Sequence, residues 1–286
     1  MGASRTGASV GRCRSVPAWL AVDEPTEEMA RARALLERAR RVVVLTGAGI
    51  STDSGIQDFR GPEGLWTKNP EAEKMATLSA YVADAELRKR SWQNRLTSTM
   101  WAAAPNAGHR ALVDLERSGR LDTLVTQNID GLHHAAGSDA ARIIEIHGTS
   151  RHVVCLSCGD RQDAELVHER VRGGEADPSC AVVGPDGVAC GGILKSATIS
   201  FGQSLVPEDL LRAEHAATEC DFLLAVGSTL GVFPAAGMVP IAVQHGAVVI
   251  IVNGSPTEMD SLADVVVCGS ISDLLPALVE GLPPVR

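Results

Sequence analysis

Val42-Val43-Val44-Leu45-Thr46-Gly47-Ala48-Gly49 is the stretch on which the fold turns. Three β-branched residues and a leucine in succession leave no polar face, so the run reads as a strand buried on both sides. Strands of that kind belong to parallel sheets covered by helices on either face. Similar apolar runs recur at Leu124-Val125-Thr126, Ile143-Ile144-Glu145-Ile146, Phe222 to Val226, Val248 to Val252 and Val265 to Val267. Between them, helical periodicity marks His109 to Arg117 and Glu208 to Ala217. Upstream, Pro25 to Arg41 sets Met29, Leu35, Leu36 and Ala39 among Glu and Arg, an amphipathic helix with Pro25 near its start. The alternation predicts an α/β fold, a Rossmann-like doubly wound parallel sheet that binds ligands at the carboxyl ends of its strands.

Two stretches interrupt that alternation. Residues 61–104 hold helical segments with Trp66, Trp92 and Trp101, and residues 151–195 hold Cys155, Cys158, Cys180, Cys190 and many glycines. Both are expected in a smaller helical and zinc-binding module inserted beside the sheet. The expected organisation is a disordered tail over 1–24, a Rossmann-like domain over 25–60, 105–150 and 196–286, and the module over 61–104 and 151–195. Residues 1–22 carry Arg5, Arg12 and Arg14 and no acid, which suits a plain tail and, as the alternative, an organellar transit peptide. The expected location is cytoplasmic, or the mitochondrial matrix under that alternative.

Composition narrows the function. The 286 residues are 45% hydrophobic and 21% charged with a net charge of −9, which fits a globular protein and repels a phosphate backbone. Direct nucleic-acid partners are therefore not expected, and no apolar run approaches the roughly 20 residues of a membrane span. Seven cysteines without a secretory segment point to metal or chemistry rather than a disulfide framework. Cys155-Leu156-Ser157-Cys158 has the spacing of a zinc knuckle, and Cys180 and Cys190 complete the four thiolates of a closed structural site. Nine residues separate the second pair where a strict ribbon has two, which leaves open that Cys180 or Cys190 is simply buried, the role expected of Cys220 and Cys268.

The chemistry gathers at predicted strand ends. Gly47-Ala48-Gly49-Ile50-Ser51 follows the first strand, where glycines let a backbone approach a pyrophosphate, although Thr52 stands where the usual dinucleotide pattern has glycine. Taken alone, the loop reads equally as an ordinary turn. Asp58-Phe59-Arg60 follows it, Gln127-Asn128-Ile129-Asp130 ends the second strand, and His147-Gly148 ends the third. Convergence of those ends would place an amide, an acid and a base in one pocket, with His147 suited to general-base work near neutrality.

Together with Phe201-Gly202 and Gly227-Ser228-Thr229, these motifs occur in an order that resembles the sirtuin family of NAD-dependent protein deacylases, from about residue 28 to the C-terminus. The resemblance implies NAD as co-substrate, one structural zinc per chain and acyl-lysine proteins or peptides as partners. It implies cofactor contacts from Gly47, Ala48, Gly49, Ser51, Asp58, Phe59, Arg60, Gln127, Asn128, Asp130, Gly227, Ser228, Thr229, Asn253, Gly254 and Ile271. His147, Asn128 and Asp130 are the implied catalytic residues. Phe201, Gly202 and Gln203 with Gly231, Val232 and Phe233 would sandwich the peptide as an added strand. The implied reaction begins with acyl-oxygen attack on the ribose carbon that bears nicotinamide. His147 then takes a ribose hydroxyl proton, and nicotinamide and O-acyl-ADP-ribose are released.

Three departures from the family pattern fall beside the peptide edge and the cofactor loop: Gln57, Lys195-Ser196 and Gln203. A Tyr-x-x-Arg pair, which one branch uses for acidic acyl groups, does not occur, since the only tyrosine, Tyr81, is followed by Val82, Ala83 and Asp84. Trp92 and Arg95 stand in the corresponding window, and the resemblance therefore implies a preference for acetyl or longer neutral groups over succinyl. The rival readings are an NAD-dependent protein mono-ADP-ribosyltransferase and an NAD-sensing zinc-ribbon regulatory module.

Overall fold

The computed structural model describes residues 26–58, 64, 68 and 76–285. The expected tail over 1–24 and the expected cofactor residues Phe59 and Arg60 lie outside the described residues. The described strands are β1 Val42–Thr46, β2 Leu121–Thr126, β3 Ile143–Glu145, β4 Gly148–Cys155, β5 Arg161–Asp163, β6 Leu194–Thr198, β7 Phe222–Val226, β8 Val248–Asn253 and β9 Val265–Cys268. Six of them form one parallel sheet in the order β3-β2-β1-β7-β8-β9. This is the predicted doubly wound sheet. The order reverses beside β1, where successive crossovers leave to opposite faces and open a crevice at the strand ends.

Each face of the sheet has its own helices. Val42, Val44, Phe222, Leu224, Ile250 and Val265 pack with Leu36, Leu112 and Leu275 from the helices Glu27–Arg38, Ala107–Arg117 and Ile271–Val279. Val43, Leu45, Leu223, Val249 and Ile251 pack with Ala213, Ala217, Val239 and Ala242 from the helices Pro207–Glu219 and Met238–Gln244. Adjacent residues of one strand thus enter opposite cores, which is why β1 has no polar face. Thr26 caps the first helix by accepting from Met29 N at 3.2 Å, so that helix begins slightly later than its apolar pattern. No helix among the described residues is long and apolar enough to cross a membrane.

The remaining strands form a second sheet, β5-β4-β6, with antiparallel pairing. Its core contains Trp92, Val153, Val167, Val171 and Leu194, backed by the helices Ala85–Leu96 and Ala164–Arg172. The two sheets meet at His147-Gly148, where Ile199 N donates to His147 O at 2.7 Å. Gly148 has φ of 72°, and a Cβ there would lie 2.1 Å from Ala197 O, so the seam admits only glycine.

At the sheet centre the loops after β1 and β7 pack backbone to backbone. Gly47 N donates to Val226 O at 2.9 Å, Gly49 N to Gly227 O at 2.8 Å and Gly227 N to Val252 O at 3.0 Å. A Cβ on Gly47 would lie 2.7 Å from Gly227 O, and one on Gly227 would lie 2.4 Å from Ile50 N. These glycines first of all let two loops touch, before any ligand is considered. Gly227→Ala is expected to destabilise the protein by more than about 2 kcal/mol, adding backbone collision to the strain of a positive φ. Gly137→Ala, at φ of 99° with nothing within 4 Å of its Cβ, carries the strain alone and serves as the control. Thermal unfolding decides it, since equal melting shifts for the two variants would exclude the collision.

Candidate active site

The strand ends converge on a cleft of about 770 Å³. Gly47, Ala48, Gly49 and Asp58 line it from the loop after β1, Gln127, Asn128 and His147 from the ends of β2 and β3, and Gly227, Ser228, Thr229 and Asn253 from those of β7 and β8. Phe201, Gly202, Gln203, Val232 and Phe233 line its mouth. Five expected site residues do not line it. Ser51 and Asp130 lie buried behind the wall, Gly231 is half-buried, Gly254 is exposed, and Ile271 is a core residue at 6% exposure.

Ser51 and Asp130 act as the backing of that wall. Asn128 Nδ2 donates to Gly47 O at 3.1 Å and to Ser51 Oγ at 3.2 Å, and Ser51 Oγ donates to Asp130 Oδ2 at 2.8 Å. Asp130 Oδ1 accepts from Leu132 N at 2.8 Å. A buried carboxylate without donors would be costly, whereas here each oxygen has one, and the chain of bonds fixes the Asn128 carboxamide. Arg151, from β4, adds a clamp by donating through Nε and Nη2 to Asp130 O at 3.0 and 2.8 Å. Nothing local in the sequence identifies Arg151, because the bond crosses between the two sheets. A second layer is purely structural: Thr46 Oγ1 donates to Thr126 Oγ1 at 2.9 Å and lies 3.0 Å from His133 Nε2, an imidazole that burial pushes far below 6.5 and so keeps neutral.

His147 is half-buried, with Nδ1 3.1 Å from Gln127 O. A carbonyl can only accept, so Nδ1 carries the proton and Nε2 is left as the basic nitrogen. Burial lowers the His147 pKa from 6.5, partly offset by the Gln127 carbonyl. Gln127 Nε2 in turn donates to Ser228 Oγ at 3.0 Å, joining the base to the loop after β7.

The mouth is already partly organised. Phe201 N donates to Ala76 O at 2.9 Å and Leu78 N to Phe201 O at 3.0 Å, so one side of this segment is engaged by the chain itself. Gln203 closes its own turn, its N donating to Ser200 O at 2.9 Å and its Oε1 accepting from Ser200 N at 3.2 Å. Phe233 is 64% exposed, and the Glu258 carboxylate occupies the space beside Gly231, where a Cβ would lie 2.4 Å from its Oε1.

The sulfurs of Cys155, Cys158, Cys180 and Cys190 all lie within 4.8 Å of one another. Cys155 Sγ is 3.8 Å from Cys190 Sγ, and Cys158 Sγ is 3.7 Å from Cys180 Sγ. Thiolates about 2.3 Å from one zinc ion in a tetrahedron stand about 3.8 Å apart, so the quartet fits a closed structural zinc. The wide Cys180–Cys190 spacing is a hairpin: Cys190 N donates to Val182 O at 2.7 Å and Gly191 N to Cys180 O at 3.0 Å, which returns the second ligand to the first. Gly192 is required where the hairpin meets the knuckle, since a Cβ would lie 2.7 Å from Cys155 Sγ. Cys220 is buried as expected, and Cys268 is half-buried against the second core.

Among the other residues that line the cleft, three have titratable side chains, Tyr81, Arg95 and Lys195. Lys195 carries a faint signal, a lysine between Leu194 and Ser196 that are both buried.

Comparison with known proteins follows the same residues. The model of the "Sir2 family" matches residues 47–234. The chain is 48% identical over 241 residues to "NAD-dependent protein deacetylase 2" of Streptomyces coelicolor, covering 84% of this chain and 97% of that protein. It superimposes with a TM-score of 0.78 on a solved Sir2 enzyme of 36% identity, covering 90% of this chain and 98% of the other. A Sir2 complex with a deacetylated p53 peptide and 3'-O-acetyl ADP ribose gives a TM-score of 0.79 at 30% identity, over 89% of this chain and 99% of that one.

The quartet yields one expected outcome. Cys155→Ser should release the zinc and unfold the three-stranded sheet, because binding of a structural zinc is largely folding free energy. Metal analysis with limited proteolysis checks this, and a variant that keeps one zinc per chain would remove Cys155 from the ligand set.

Proposed function

The chain belongs to the Sir2 family, and from that premise we propose that it is an NAD-dependent protein-lysine deacylase that releases nicotinamide and O-acyl-ADP-ribose. The observation that carries the reading is the fixed tautomer of His147, a residue of the cleft lining, with Nδ1 bound to Gln127 O and Nε2 left as the basic nitrogen. Residues fit NAD at the crevice where the strand order reverses, with the loops of Gly47–Gly49 and Gly227–Thr229 on either side and Asn253 beyond. Bound NAD supplies a ribose carbon that becomes electrophilic as nicotinamide leaves. Asn128, held by Gly47 O and Ser51, offers the nicotinamide side a carboxamide that cannot rotate freely. Asp130, accepting from Ser51 Oγ, supports that carboxamide from behind as a positioning residue. His147 Nε2 takes the ribose hydroxyl proton, and its lowered pKa leaves it unprotonated and competent below neutral pH.

Acyl-lysine proteins are the partners of this reading, entering between Phe201–Gln203 and Gly231–Phe233. The net charge of −9 supports the absence of direct nucleic-acid binding. The compartment we infer is the cytoplasm.

His147→Ala should lower kcat by about 10² or more and leave NAD binding within about severalfold, because a base lowers the barrier rather than holding the cofactor. Isothermal titration with NAD and peptide turnover by mass spectrometry separate the two effects. The acid limb of kcat/KM should also have its midpoint below 6.5, since activity falls as pH drops through the lowered pKa of a base that must be neutral. A midpoint above 6.5 would assign the limb to another group.

A further inference from the structure

The two peptide carbonyls that follow Asn128 are both held by β4. Ser150 N donates to Ile129 O at 2.9 Å, and the Arg151 side chain donates through Nε and Nη2 to Asp130 O at 3.0 and 2.8 Å. The next residue, Gly131, has φ of 72°, and a Cβ there would lie 3.0 Å from Arg151 Nε and 3.1 Å from its Cγ. The turn that leads from Asn128 to the helix Leu132–Ala136 is thus packed against this one side chain. Asn128 and Ile129 both line the cleft.

The choice of acceptor is informative. Both carboxylate oxygens of Asp130 are served by other donors, Ser51 Oγ and Leu132 N, while the guanidinium meets Asp130 at its main chain. Two donors of one rigid fork on a single carbonyl fix that peptide plane. The fork is itself held. Its Cζ lies 5.2 Å from the Trp101 ring centroid, and Trp101 stands edge-on to His168, with ring centroids 4.9 Å apart. His168 is buried on the helix Ala164–Arg172, which backs the small sheet, and β4 itself ends at the zinc-site residue Cys155. A strand rooted in the small module therefore sets a turn of the large one.

The two halves of the cleft respond differently to that turn. A tilt of the Asp130 peptide would move its carboxylate, and with it Ser51 Oγ and the Asn128 carboxamide. The loop Gly227–Thr229 is secured separately, by Gly227 N to Val252 O and Gly49 N to Gly227 O. We propose that Arg151 is a positioning residue for the nicotinamide half of the cleft: through the Asp130 carbonyl it holds the Asn128–Gly131 turn in its binding conformation, and the ADP-ribose half does not depend on it. The inference rests on the assignment of Asn128 to the nicotinamide side under the reading above.

The test compares Arg151→Met with Arg151→Gln in the full zinc-loaded chain. Both side chains extend as far as the Arg151 Nε position, but only Gln carries a donor there, so the pair separates the bond to Asp130 O from the loss of charge and of the Trp101 contact. Nuclear magnetic resonance titration gives the affinity for ADP-ribose, and for nicotinamide with ADP-ribose bound; turnover of an acetyl-lysine peptide gives kcat and KM. Arg151→Met should weaken nicotinamide at least about fivefold and lower kcat about tenfold, with ADP-ribose affinity and peptide KM within about twofold of wild type. Arg151→Gln should recover most of both losses. Equal losses for the two ligands, or a Gln variant no better than Met, would make the arginine merely structural and overturn the proposal. If Arg151→Met does not fold, Arg151→Gln against wild type decides: a loss of about twofold or more confined to nicotinamide supports the proposal, and any other pattern overturns it. A wild type that binds both ligands but deacylates no peptide sinks the deacylase reading alone, since the binding ratio still tests Arg151. One that binds ADP-ribose without nicotinamide sinks the proposal alone, and turnover then decides the reading.

Discussion

Everything at the strand ends depends on how closely the backbones of Gly47, Gly49 and Gly227 approach. Three main-chain hydrogen bonds join the loops after β1, β7 and β8, at distances that leave no room for a single Cβ. The consequence extends past the loops. Gly47 O accepts from the Asn128 carboxamide, and Ile50 O accepts from Asn106 Nδ2 at 2.7 Å, so the same contact also orients the helix Ala107–Arg117. A large side chain at the crossing would shift an amide, a serine and a helix start together. Interiors packed this tightly transmit such shifts rather than absorb them.

The polar residues behind the cleft follow a second constraint. Asp130, at 4% exposure, persists as a buried acid only because Ser51 and Leu132 N each serve one oxygen while Arg151 holds its carbonyl. Arg151 lies with its Cζ 5.2 Å from the Trp101 ring centroid, and Trp101 Nε1 donates to Arg95 O at 2.6 Å. A continuous set of contacts therefore runs from Arg95 through Trp101, Arg151, Asp130 and Ser51 to the Asn128 amide. Removing a partner in such a set costs about 1–3 kcal/mol for the polar group left behind, more than the bond itself is worth.

Much of the large sheet was legible because its strands are apolar on both faces: Val42–Leu45, Phe222–Val226 and Val248–Val252 needed no long-range information. The small sheet was not. Arg161–Asp163 is wholly polar, and β4 mixes Arg151 and His152 with buried Val153 and Cys155, so neither run carries a strand signal. Metal ligands were readable by residue type, whereas the hairpin that unites Cys180 and Cys190 was not. Of the site, His147 and Asn128 stand at strand ends where pattern reading looks for chemistry. Arg151, Tyr81 and Lys195 reach the site from other elements, and no local spacing announces a contact made by tertiary packing.

The Cys180–Cys190 hairpin has a practical meaning for protein engineering. Its paired stem holds the ligands, while the tip turns at Gly187, with φ of 77° and open space around it, between the exposed Val183 and Val188. Chain length at the tip is therefore uncoupled from the metal geometry at the base. Exposed loop tips of this kind tolerate inserted sequence. An affinity handle or fluorescent reporter spliced beside Gly187 would ride on the zinc module without entering the cleft.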